Sequence, residues 1–134
     1  MENFAIFALT AALLALLFLF LSGNVVRLRL RYRVALGHEG HSDLHHALRA
    51  QANFTEYTYI ALILLLALSF IEINVIYYSL LCLALLVGRC SHAYGLLVSE
   101  QKDKPNIRPR QVGFQLSFIV IALSSLTILV MLIV

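Results

Sequence analysis

Four long apolar runs, separated by short polar stretches, divide the chain of 134 residues. The first, Asn3 to Val26, holds no charged side chain, and its 24 residues would reach about 36 Å as a helix, enough to cross a bilayer with some tilt. Arg27, Arg29, Arg31 and Arg33 close it, alternating with Leu28, Leu30 and Tyr32. A polar connection, Ala35 to Ser42, contains Gly37 and Gly40. Ser42 followed by Asp43 then suits a helix start, because a short hydroxyl caps free amides and an acid favours the positive end of the helix dipole. The second run ends near Phe70, and Glu72 with Asn74 mark a tight turn before the third. After Ser99 the chain is polar as far as Arg110; Pro109 fits a first helical turn, and Gln111 to Val134 is again uncharged. This pattern predicts helices over residues 3–28, 43–71, 74–98 and 109–133.

Composition turns four apolar helices into a membrane protein. The chain is 61% hydrophobic and 13% charged, with a mean hydropathy of +0.89, which is too apolar for a soluble domain of this length. The expected fold is all-α and integral to the membrane, a four-transmembrane-helix bundle forming a single domain over residues 1–134. Glu2, the lack of Lys or Arg ahead of the first run and the length of that run argue against a cleaved signal peptide. The basic residues follow the first helix and precede the fourth, while the turn near Glu72 has none. By the positive-inside rule both basic loops are cytoplasmic and both termini lie outside. The net charge of +3 therefore reports topology, and nucleic acid is not an expected partner. Cys82 and Cys90 fall inside apolar segments and are expected as buried, inert thiols.

The informative positions are the polar ones that the pattern carries into the membrane. Arg49, Asn53 and Glu56 stand at i, i+4 and i+7, one face of a helix. Such a stripe is costly unless it faces protein or a wet cavity. Two helices joined by a tight turn place residues equidistant from it at similar depth, which sets Glu56 opposite Arg89 and Asn53 opposite His92. A cluster of Arg49, Asn53, Glu56, Arg89 and His92 follows. It serves either as an ion pair that fixes helix register or as a ligand site. The four arginines after the first helix act as a positive stop, and one or two of them can also turn inward to hold an anion. His38, His41, His45 and His46 lack the carboxylates or cysteines of a metal centre and read as a solvated, titrating loop.

Arg49-x-x-x-Asn53-x-x-Glu56 followed by Tyr57, the segment Gly88-Arg89-Cys90-Ser91-His92-Ala93-Tyr94-Gly95, and Arg110-Gln111-Val112-Gly113 together resemble the MAPEG family, the membrane-associated proteins of eicosanoid and glutathione metabolism. The resemblance spans the whole chain and is nearest to small bacterial members, implying a bacterial inner membrane. It implies a homotrimer with glutathione bound between subunits near the cytoplasmic face, and transferase or peroxidase chemistry on lipophilic electrophiles or hydroperoxides. By motif position, Arg49, Asn53 and Glu56 would hold the charged groups of the peptide, with Arg27 or Arg29 reaching it from the first helix. His92 would face the ligand, and Arg110, with Arg108 as its rival, would stabilise the thiolate. Ala52, Leu96 and Phe114 replace an arginine and two tyrosines of the mammalian enzymes. The alternative is a non-catalytic member of the same fold that binds lipid or organises an assembly. A small transporter is a more distant reading, because the charges do not continue across the membrane.

Overall fold

The computed structural model describes residues 1–133. It contains α1 (Glu2–Tyr32), α2 (Ser42–Ser69), α3 (Val75–Tyr94) and α4 (Arg108–Ile133), with α3 continuing into a π-helical turn, Gly95–Ser99. All four helices are long and apolar enough to span a membrane. They run alternately up and down. The Asn3 amide donates to the Ile73 carbonyl at 3.4 Å, and the Tyr77 and Thr127 hydroxyls share a hydrogen bond of 2.8 Å. The chain start and the far part of α4 therefore lie at the short α2–α3 turn, and both polar connections gather at the other end.

The helix boundaries differ from the sequence pattern in informative ways. Helix α1 does not stop at the first arginine but runs through Arg27, Arg29 and Arg31 to Tyr32, because Leu28 and Val34 are buried and keep the segment packed. It is closed by Arg33 in the left-handed conformation at φ 58° and by Arg29, whose guanidinium donates to the Ala35 carbonyl at 2.7 Å. Arg29 thereby fastens the segment just past the helix back onto its last turn. Asp43 accepts from the Tyr32 hydroxyl at 2.6 Å and from the Leu44 amide at 2.8 Å, binding the start of α2 to the end of α1. Ser42 is the first residue of α2, not its cap. Asn74 caps α3, its side-chain oxygen accepting from the Ile76 and Tyr77 amides at 2.9 and 3.2 Å.

The interior is a ladder of Leu14, Leu21, Leu65, Leu68, Tyr78, Leu85 and Val120, all buried. The outside is as apolar: Leu16, Phe20, Ile63, Leu83, Ile119 and Leu126 are all exposed. Such a surface suits lipid. Cys82 is buried, but Cys90 is exposed, correcting the expectation of two buried thiols; residue 90 follows the buried Arg89 and so points away from the core.

Helices α3 and α4 approach closest where both carry glycine. A Cβ at Gly113 would strike the Gly88 carbonyl oxygen and come within 2.5 Å of the His92 amide nitrogen, and one at Gly88 would meet Leu116 Cβ at 3.0 Å. Small residues let membrane helices pack backbone to backbone. Gly113→Ala is expected to destabilise the bundle by about 1–3 kcal/mol through overpacking, read as a lower thermal midpoint in detergent. Gly23→Ala, whose Cβ meets nothing within 4 Å, is the control and should leave that midpoint unchanged or raise it.

Candidate functional site

At the end that holds the polar connections, α2, α3 and α4 leave a cleft of about 620 Å³. Helix α2 contributes His45, His46, Arg49 and Asn53, which fall on one side of the helix by their spacing. His92 comes from α3 and Leu96 from the π-helical turn, one helical turn apart. Helix α4 supplies Arg110, Gln111, Phe114 and Gln115. Two guanidiniums and no carboxylate line this cleft among the described residues.

Arg110 owes its position to its neighbours. Its backbone lies against Gly95, where a Cβ would come within 2.6 Å of the Arg110 amide nitrogen. The Ser91 hydroxyl donates to the Pro109 carbonyl at 2.8 Å, holding the start of α4 against α3. Its guanidinium donates to Glu100 Oε2 at 3.0 Å, the one ion pair among the described residues. Arg108 is exposed and lies outside the cleft, so between the two rivals only Arg110 lines it.

Below the cleft sits Arg89, 1% exposed. It donates to the Asn53 backbone and side-chain oxygens, both at 3.2 Å, and reaches the Gly113 carbonyl at 3.5 Å. Its Nε has no partner, and the Tyr57 ring centroid lies 5.9 Å from the guanidinium carbon. One side chain thus connects α3 to both α2 and α4.

The expected pairing of Glu56 with Arg89 does not form. Depth was not the difficulty, since Asn53, one turn away, makes the contact. The reason is helical phase: Ala47, Ala50, Phe54, Thr58 and Ala61 mark the buried side of α2, and Glu56 lies about 200° around the helix from Phe54. Glu56 is exposed on the protomer. Arg27 is exposed as well and donates to Asn24 at 2.7 Å, in a separate cleft against α1. Arg29 is committed to the Val34 and Ala35 carbonyls beyond the end of α1. Within this single chain the structure therefore gathers Arg49, Asn53, His92 and Arg110, with Arg89 beneath, and leaves Arg27 and Glu56 outside.

Four lining residues were not singled out from sequence for this site. His45 and His46 read as part of a loop, yet they lie within α2 and share the Arg49 face. Gln111 and Gln115, at i and i+4 and the only side-chain amides on α4 among the described residues, are the signal that could have found the α4 wall.

The family model described as "MAPEG family" matches residues 7–130. The chain is 42% identical over 88 residues to Inner membrane protein YecN of Escherichia coli (strain K12), covering 66% of this chain and 67% of that protein. The same figures hold for Inner membrane protein YecN of Escherichia coli O6:H1.

Asn53→Ala takes one acceptor from a buried cation. It should cost about 1.5–3 kcal/mol, the usual worth of a hydrogen bond to a charged group, seen as a lower thermal midpoint, whereas Gln111→Ala at the exposed rim should leave the midpoint within error.

Proposed function

We propose that this chain, which belongs to the MAPEG family, is a membrane-embedded glutathione-dependent transferase or peroxidase acting on lipophilic electrophiles or hydroperoxides. The observation that carries this reading is the convergence of Arg49, Asn53, His92 and Arg110 on one cleft, beside an apolar wall of Leu96 and Phe114. Glutathione has carboxylates, an ammonium and a thiol. Its holder needs cations for the carboxylates, an acid for the ammonium and a fixed positive charge near the sulfur. Arg49 meets the first requirement and Arg110 the last, and the volume of the cleft lies within the range of about 300–1,000 Å³ common to small-molecule sites.

The acid comes from a second copy in this reading. Glu56 lies about 10 Å along α2 past Arg49, at about 1.5 Å per residue, and with Arg49 at the interface an outward carboxylate there is costly against lipid. A homotrimer covers it and brings Glu56 and Arg27 of adjacent copies toward the clefts. The basic connections, and with them the site, lie on the cytoplasmic side.

The chain contributes charge to the chemistry. A thiol of pKa about 8.5 is only a few per cent ionised at pH 7, and an adjacent guanidinium lowers that pKa and raises the population of the nucleophile. Lipophilic electrophiles reach the mouth of the cleft along α4, where Phe114 and Phe118 are exposed with ring centroids 6.0 Å apart.

A second reading, a non-catalytic lipid-binding member, has one observation in its favour: Arg110 is already paired with Glu100. Arg110→Ala separates the two. For the enzyme it should lower kcat/KM for glutathione with a chlorodinitrobenzene electrophile about 10²-fold, the scale of losing one charge-stabilising donor, while glutathione affinity by calorimetry changes far less. Purified protein in detergent that neither binds nor conjugates glutathione would sink the enzyme reading and leave the lipid one.

A further inference from the structure

Glu100 is the carboxylate that reaches the site through Arg110, and its placement is specific. It sits at the end of the π-helical turn, where its amide donates to the Gly95 carbonyl at 2.9 Å. In a continuous α-helix that amide would bond to Leu96, four residues back. Here the Leu96 carbonyl is taken by the Gln101 side chain at 3.1 Å. The additional residue in the turn rotates Glu100 away from its α-helical position, and π turns of this kind gather at functional sites. Its side chain meets Arg110 on α4.

The pair is asymmetric. The Glu100 side chain is 10% exposed and that of Arg110 is 41% exposed. Glu100 borders a second groove, between the start of α2 and the turn after α3, but its Oε1 is buried with no hydrogen-bond partner, an unmet acceptor whose cost the pairing with a cation offsets. Only one guanidinium nitrogen of Arg110 bonds to Glu100, while the side chain lines the cleft and Glu100 does not.

We propose that Glu100 is a positioning residue for Arg110. It anchors the guanidinium from behind, directs the unused donors into the cleft and tempers the positive charge a ligand meets there. This rests on the thiol-site reading of the cleft. Arg49, His45, His46 and His92 also face that space, and Tyr32, His41, Asp43, His46 and Lys102 share a second groove with Glu100; all are left intact by the variants that test it.

The test uses the full-length protein in detergent with Glu100→Gln, which keeps an acceptor and removes the charge, and Glu100→Ala, which removes both. Labelling of Arg110 by phenylglyoxal, followed by mass spectrometry, needs no glutathione. Release of the ion pair should speed it about fivefold in E100A, the factor that corresponds to a modest ion pair, with E100Q in between. Equal rates in all three proteins would overturn the proposal. With glutathione, E100Q should move the acid limb of the kcat/KM profile to lower pH by about half a unit as the opposing charge is lost. E100A should lose about tenfold in kcat/KM, with E100Q restoring most of it. A purely structural role would leave the pH profile where it was, and that result also overturns the proposal. Wild-type protein without glutathione turnover would remove the enzyme reading alone, since the labelling rates still decide the role of Glu100; should E100A not fold, E100Q carries both measurements.

Discussion

A guanidinium enclosed among helices, with carbonyl oxygens and no carboxylate around it, dictates how this bundle comes together. Arg89 cannot be left facing lipid, and inside the protein it must find acceptors. The ones it finds are the backbone and side chain of Asn53 on α2 and the backbone of Gly113 on α4. Meeting them brings α3 and α4 together at Gly88 and Gly113, where a Cβ at Gly113 would strike the α3 backbone and force the two helices apart. The cation and the glycines are one constraint seen from two sides, and the cleft above them is walled by α2 on one side and, on the other, by α3 and α4, still joined at Ser91 and Gly95.

Around this constraint the protein resembles a soluble domain only in its interior. Leu65, Leu85 and Val120 are buried as core leucines and valines are anywhere, while equally apolar residues cover the outside. With apolar groups on both surfaces, burial of hydrocarbon does not by itself tell one helix face from another. The discrimination comes from polar bridges: Gln51 to Ser22 at 2.8 Å between α2 and α1, Tyr78 to the Leu65 carbonyl at 2.9 Å between α3 and α2, and Tyr77 to Thr127 between α3 and α4. Interhelical hydrogen bonds and close packing are the usual means of association in lipid.

Much of this was legible in the sequence. The absence of charge from Asn3 to Val26 and from Gln111 to Val134 is enough to show two apolar helices of spanning length, and two of the three members of the stripe Arg49, Asn53, Glu56 do line one cleft. Counting residues from the α2–α3 turn gave the depth of Arg89, but depth fixes height along a helix and says nothing about rotation around it. That is why Asn53 and not Glu56 receives the guanidinium. The extension of α1 through its arginines was hidden because it depends on burial of Leu28 and Val34 by α2. The pairing of Arg110 with Glu100 was hidden for a similar reason: a π turn is a departure from regular spacing, and no periodic count anticipates the residue it rotates.

The segment between α3 and α4 is tied shut at its base. Ser99 and Asn106 exchange two bonds, the hydroxyl to the Asn106 carbonyl at 2.7 Å and the Asn106 amide to the Ser99 carbonyl at 3.2 Å. The loop that hangs from this neck is exposed from Gln101 to Pro105. Lengthening a surface loop whose ends are already joined adds little entropy cost and transmits no strain past the knot. Residues from Lys102 to Pro105 are therefore free to grow or shrink over evolutionary time, so that an extra flap could come to overhang the site while the membrane-embedded frame kept its register.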